Sequence, residues 1–318
     1  MKVFITREIA GVAIEYLKKK KYDVSVYSED KPIPRKELIK NIKDADAVVS
    51  LITEKFDREL IDQLKKCKVI ANVAVGYDNI DVEYAGKKNI IITNTPDVLT
   101  DSTADLAMAL TLACARRLGE GEELIRSKKF KGWKPKLLLG VELKNKVFGI
   151  LGAGRIGTAT ALRAKAFRTR IVYFSKSKNH EFEKKTEAKR LTLDALLKVS
   201  DFVSIHLPLN KGTFHLLNKE KLKLLKKSCI IINTARGEII DEKELITFLK
   251  KNKIFSSGFD VYENEPKINP ELLKLKNVVL LPHIGSATED ARNNMAFLAA
   301  KNVDAVLSGK KPLTPVKQ

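Results

Sequence analysis

Three glycines, Gly152, Gly154 and Gly157, stand in the order G-A-G-R-I-G directly after the apolar run VFGIL, and a helical pattern, TATALRAKAF, follows at once. Few local patterns restrict a fold as strongly. A strand that turns into a helix over such a short link needs glycine for the tight turn, for close approach of a ligand to the backbone and for contact between helix and strand. The unpaired amides at the start of the helix then form a binding site for phosphate. In a strand-turn-helix context this is the fingerprint of a dinucleotide site, with Arg155 and Ile156 between the second and third glycines as part of it.

The rest of the chain agrees with this. Before the glycines, strand-like and helix-like segments alternate: KVFIT, EIAGVAIEYLKKK, YDVSVY, RKELIKNI, DAVVSL, DRELIDQL, KVIANVAV and IIITN. After them a second series runs through RIVYF, LDALLKVS, DFVSIHLP, CIIINTAR, EKELITFLKK, IFSSGFDV and NVVLLPH. Such alternation predicts parallel sheets flanked by helices, and 318 residues suit two domains. The fold class expected is α/β, two doubly wound parallel-sheet domains. Between the series lies the helical stretch DSTADLAMALTLACARRLGEGEELIRS, apolar or small on most faces, which predicts burial between domains or subunits, with Asp101 or Ser102 as N-cap. The last helical stretch follows the second sheet, so its return to the first domain would make that domain discontinuous.

Composition excludes several classes. No apolar run approaches the roughly 20 residues of a membrane span, and the amino terminus lacks a secretory pattern, so a cytoplasmic protein with no membrane partner is expected. Cys67, Cys114 and Cys229 lie far apart, which suggests reduced, buried thiols and no metal site. The 59 Lys and Arg against 39 Asp and Glu give a net charge of +20, yet the lysines are scattered and no nucleic-acid motif accompanies them. Solvated lysine faces, with no specific nucleic-acid partner, are expected.

An acid about 20 residues beyond the glycines ordinarily binds the ribose 2′-hydroxyl of NAD. Here that place holds Ser175, Lys176, Ser177 and Lys178. Hydroxyls and ammonium groups would accept the 2′-phosphate of NADP(H) through charge-assisted hydrogen bonds, whereas an acid would repel it. NADP(H) is therefore the preferred cofactor, with NAD(H) the alternative if both lysines face solvent. Three further segments begin at strand ends and carry Arg236, Glu265 and His283. In a doubly wound sheet those ends face the ligand. An arginine clamps a carboxylate, a histidine moves a proton near neutral pH, and an acid holds the imidazole tautomer.

With VAVGYDNID, LTDSTADLAMALTLACARR, LGAGRIG, NTARGEIIDE, GFDVYENEP and LPHIGSAT in this order, the whole chain resembles the D-isomer-specific 2-hydroxyacid dehydrogenase family, and within it the glyoxylate and hydroxypyruvate reductases. The resemblance implies two Rossmann-like domains. Residues 1–99 and 286–318 form the substrate domain and 100–285 the dinucleotide-binding domain. It also implies a homodimer acting on a small 2-keto or 2-hydroxy acid. It assigns Arg236 to substrate binding, Glu265 to the partner acid and His283 to the proton donor. The amides of Val75 and Gly76 match the loop holding the substrate carboxylate, and Leu51 a residue lining the substrate pocket. Thr234, Ala235 and Gly285 match cofactor-lining positions, Asp260 the acid near the nicotinamide carboxamide, and His206 either a stretch passing the adenosine or a structural histidine. Trp133 either reaches a neighbouring subunit's pocket or packs over its own basic loop. Between helix and strand, AKAFRTRIVYF departs from the family's usual glycine. Glu265 speaks against formate dehydrogenases, which have glutamine there. Lactate, glycerate, phosphoglycerate and phosphite dehydrogenases share the architecture, as does a nucleotide-sensing corepressor.

Overall fold

The computed structural model describes residues 1–317, in two compact units. One comprises Met1–Leu99 with Ser286–Gln318, the other Thr100–Gly285.

The first unit holds five strands: β1 (Lys2–Ile5), β2 (Asp23–Val26), β3 (Ala47–Ser50), β4 (Val69–Asn72) and β5 (Ile91–Thr93). Their order is β2-β1-β3-β4-β5, all parallel. β3 and β4 are buried at every residue, as central strands covered on both faces must be, whereas β2 at the edge buries none completely. Helix Glu289–Leu307 packs beside helix Gly11–Lys19 in this unit, where Tyr16 and Tyr22 donate their hydroxyls to Asp304 at 2.7 and 3.0 Å.

The second unit holds seven strands: β6 (Val147–Leu151), β7 (Arg170–Phe174), β8 (Lys189–Arg190), β9 (Phe202–Ile205), β10 (Ile230–Asn233), β11 (Ser256–Phe259) and β12 (Val278–Leu280). They run parallel in the order β12-β11-β10-β9-β6-β7-β8, so the order reverses between β6 and β9. Two doubly wound, Rossmann-like sheets are what the alternation predicts.

Two local expectations need correction. The long helix is Thr100–Ala115, so Asp101 and Ser102 lie inside its first turn and do not cap it. Asp101 instead receives Arg163 at 2.9 Å. This helix buries Ala104, Ala107, Leu110 and Cys114 against β10, β11 and helix Arg155–Ala166 of its own unit, which accounts for its small, apolar faces. Where glycine is customary between helix and β7, Arg168 takes the left-handed conformation (φ 61°), and the Thr169 hydroxyl donates to the Ala164 carbonyl at 2.8 Å. The turn is kept without glycine.

Among the described residues no helix is long and apolar enough to cross a membrane. All three cysteines are free and buried, and burial pushes each thiol up to about 12, so they stay neutral and inert.

Candidate active site

Arg236 follows β10, and the side chain of Asn233, the last residue of that strand, folds over the intervening loop. Its Oδ1 accepts from the Ala235 amide at 3.0 Å and its Nδ2 donates to the Arg236 carbonyl at 2.8 Å. Asn233 is fully buried, so the loop carrying Thr234, Ala235 and Arg236 is held from within the core. Gly237 then passes so close to Tyr262 that a Cβ would lie 1.9 Å from its carbonyl carbon.

Glu265 follows β11. Its Oε1 accepts from the Tyr262 amide at 2.9 Å, and its Oε2 meets Nδ1 of His283 at 2.8 Å. Burial works to raise the Glu265 carboxyl. The hydrogen bond and charge of His283, the Tyr262 amide and the charge of Arg236 outweigh it and hold the group below the usual glutamate range. Glu265 is therefore a carboxylate at neutral pH. With Nδ1 bound to it, the other ring nitrogen of His283, Nε2, is the one available to a ligand.

His283 has φ 55°, a conformation that an L residue with a side chain this large keeps only where its surroundings dictate it. Asp260 supplies that constraint. Its two oxygens accept from the next two amides, Ile284 and Gly285, each at 2.7 Å. Burial drives the Asp260 carboxyl above its ordinary value in spite of those bonds. Expected beside the cofactor's carboxamide, Asp260 is thus first of all the anchor of the histidine loop. Thr103 adds a hydrogen bond to the Gly285 carbonyl at 3.1 Å, and Tyr262 ties its hydroxyl to Leu281 at 2.8 Å.

The glycine turn after β6 gives each glycine a separate reason. Gly152 has φ 102°, and a Cβ there would meet the His206 carbonyl at 2.5 Å; one at Gly157 would meet the Gly152 carbonyl at 2.0 Å. At Gly154 a Cβ would meet nothing within 4 Å. A small residue is needed there only if something outside the chain approaches, which is the cradle a pyrophosphate requires. Gly154 and Arg155 are exposed and Ile156 half-buried at the start of helix Arg155–Ala166, the kind of helix end that binds phosphate. The residues fit a dinucleotide. His206, after β9, shares a 2.9 Å hydrogen bond with Ser204, and desolvation pushes its imidazole down to about 3. The imidazole is therefore neutral.

Beyond β7, at the place expected to face the ribose, two groups already have partners within the chain. The Ser175 hydroxyl already donates to the Ser177 carbonyl at 2.5 Å, and Lys178 pairs with Glu183 at 3.4 Å. Lys176 and Ser177 remain exposed.

In the first unit Leu51 follows β3, beside the point where the strand order reverses. The Leu51 amide donates to buried Glu54 at 2.9 Å, and Asn79 bonds the Leu51 carbonyl at 3.1 Å. Asn94 and Asn72 hold the carbonyls of Val75 and Gly76 at 2.8 and 2.9 Å. The amides of Val75 and Gly76 make no hydrogen bond among the described residues. Two donors on a braced loop suit an anion.

Residues 108–285 match the model of the D-isomer specific 2-hydroxyacid dehydrogenase NAD binding domain. The chain belongs to that family. As a D-2-hydroxyacid dehydrogenase it is an oxidoreductase that uses a nicotinamide cofactor. A glyoxylate reductase of Pyrococcus horikoshii is 48% identical over 321 residues, spanning 100% of this chain and 96% of the relative. A solved protein of Thermus thermophilus superposes with a TM-score of 0.94 at 40% identity, each chain covered in full. An NADPH-dependent glyoxylate/hydroxypyruvate reductase of Sinorhizobium meliloti, solved with NADP and malonate, has a TM-score of 0.87 at 30% identity, with 99% of this chain and 96% of that one covered.

Several residues that brace these loops escape a sequence reading: Glu54, Asn72, Asn79 and Asn94 in the first unit, and Asn233 in the second. Asn at a strand end was the available signal, since Asn72 and Asn233 each close an apolar strand.

Proposed function

We propose that this enzyme reduces glyoxylate or hydroxypyruvate to glycolate or D-glycerate, with NADPH as the preferred donor and NADH as the alternative. The observation that carries the reading is the hydrogen-bonded His283–Glu265 pair, set with Arg236 on segments that follow β10, β11 and β12. The names of the P. horikoshii and S. meliloti relatives support the substrate class, and the latter supports NADPH. When bound, the reduced cofactor supplies a hydride to the keto carbon. Arg236 and the amides of Val75 and Gly76 hold the substrate carboxylate, and Arg236 stabilises charge developing on the carbonyl oxygen. His283 donates the proton from Nε2 to that oxygen, so hydride and proton together give the 2-hydroxy acid. Glu265 keeps the imidazole oriented. Leu51 lines the substrate, and Thr234, Ala235 and Gly285 contribute cofactor contacts.

Initial rates with glyoxylate, hydroxypyruvate and pyruvate, each with NADPH and NADH, test this. Fast turnover of either of the first two with NADPH is expected. Turnover with NADH alone overturns the cofactor preference, and none with any pair overturns the substrate class.

A homodimer belongs to the same proposal. Helix Leu118–Arg126 buries no residue, and Leu118, Ile125, Phe130 and Leu139 are exposed on it and on the segment after it. Trp133 is 82% exposed, so it does not pack over its own loop. Exposed large apolar side chains this frequent in one stretch of chain support an interface there. Sedimentation equilibrium should give twice the monomer mass, and Trp133→Glu with Ile125→Glu should shift the protein toward monomer. A wild type that stays monomeric at micromolar concentration overturns the dimer.

A further inference from the structure

We propose that Arg190, on β8, is the fixed cation that selects a 2′-phosphorylated dinucleotide over its unphosphorylated form. This rests on the NADPH reading above and adds a residue outside the segment Ser175–Lys178. β8 pairs in parallel with β7, and Arg190 lies in register with Tyr173, one position short of the end of β7. From there its Nη2 donates to the carbonyls of Ser175 and Lys176 at 3.0 and 3.1 Å. A guanidinium has five N–H donors in a rigid fork. Two are used on those carbonyls, and the three on Nε and Nη1 remain. Arg190 forms no ion pair with a carboxylate among the described residues.

Lys178 is in the opposite condition. Its ammonium faces Glu183 at 3.4 Å, and Glu183 also receives the Tyr173 hydroxyl at 2.9 Å. A phosphate drawn to Lys178 meets the charge of Glu183 as well. Both side chains, with Lys189, Arg190, Phe174 and Leu191, line an open recess of about 570 Å³. Three cations, Lys178, Lys189 and Arg190, border it against the one carboxylate of Glu183, so an anion there meets net positive charge. Lys176 is exposed and mobile by chemistry, a point charge on a flexible stem. Arg190 is already immobilised by its two carbonyl bonds and loses less freedom on binding. A lysine at position 190 could not both brace the loop and present a planar fork.

The test is equilibrium binding, independent of turnover. Dissociation constants of NADPH and NADH are read from nicotinamide fluorescence for the wild type, Arg190→Leu and Arg190→Lys. Adenosine 2′,5′-bisphosphate and AMP serve as competitors. Arg190→Leu should weaken NADPH about tenfold or more, as loss of a charged hydrogen bond does, and NADH by less than about threefold. It should also abolish the advantage of the bisphosphate over AMP. Arg190→Lys should fall between, and Lys178→Ala should leave the NADPH to NADH ratio nearly as in the wild type. Equal weakening of both dinucleotides makes Arg190 a loop brace only and overturns the proposal, as does unchanged NADPH affinity. A wild type that binds both dinucleotides equally removes the NADPH reading and this proposal with it. That result is distinct from a wild type and an Arg190→Leu variant that discriminate alike, which removes Arg190 alone.

Discussion

Replacing His283 by alanine lowers the turnover of 2-keto-acid reduction by about 10²-fold or more, the usual contribution of a positioned general acid. Hydride arriving at the keto carbon leaves charge on oxygen, and without an imidazole at that place the proton has to come from water. The Michaelis constant should change far less, because Arg236 and the loop of Val75 and Gly76 are the assigned carboxylate contacts. Alanine also has to hold the left-handed conformation of residue 283 (φ 55°). His283→Asn separates that strain from the chemistry, since asparagine enters this region more easily. The neighbouring amides of Ile284 and Gly285 stay tied to Asp260 in both variants. Both variants should lose turnover alike while binding NADPH as the wild type does. Unchanged turnover in either would remove His283 as proton donor.

The parts of this site that were legible are those with a local cause. The three glycines announce themselves because turn, phosphate contact and helix packing act within six residues. Arg236, Glu265 and His283 could be suspected of meeting because each follows an apolar run, and parallel strands deliver their carboxyl ends to one edge. The bond between His283 and Glu265 bears out the proximity of those two. What stayed hidden depends on partners distant in the chain. That Asp260 also holds the amides 24 and 25 residues on could not be read from the sequence. Arg190 reads as one more cation in a basic chain, since only the pairing of β8 with β7 brings it to Ser175. The partner of Lys178 was hidden for the same reason: the helix that starts at His180 turns Glu183 back toward it.

The glycine turn gives the second large effect, because it separates folding from binding within one motif. Gly157→Ala would drive a Cβ to 2.0 Å from the Gly152 carbonyl, backbone against backbone, with Ile150 at 3.2 Å on the same side. Neither partner is a flexible side-chain end, so the helix must move off β6. A loss of about 3 kcal/mol, the upper end of what overpacking usually costs, is expected in urea unfolding. Gly154→Ala meets no atom within 4 Å, and its φ of −84° suits any residue. Its stability should stay within about 1 kcal/mol of the wild type, the scale of an N-cap change. Its affinity for NADPH should nevertheless fall about 10²-fold, because the added methyl stands where the pyrophosphate has to approach the backbone. Urea unfolding and fluorescence titration of the two variants side by side decide the matter. A Gly154→Ala protein that binds NADPH like the wild type would mean that no phosphate lies against this turn. The open space at Gly154 would then have no ligand to explain it.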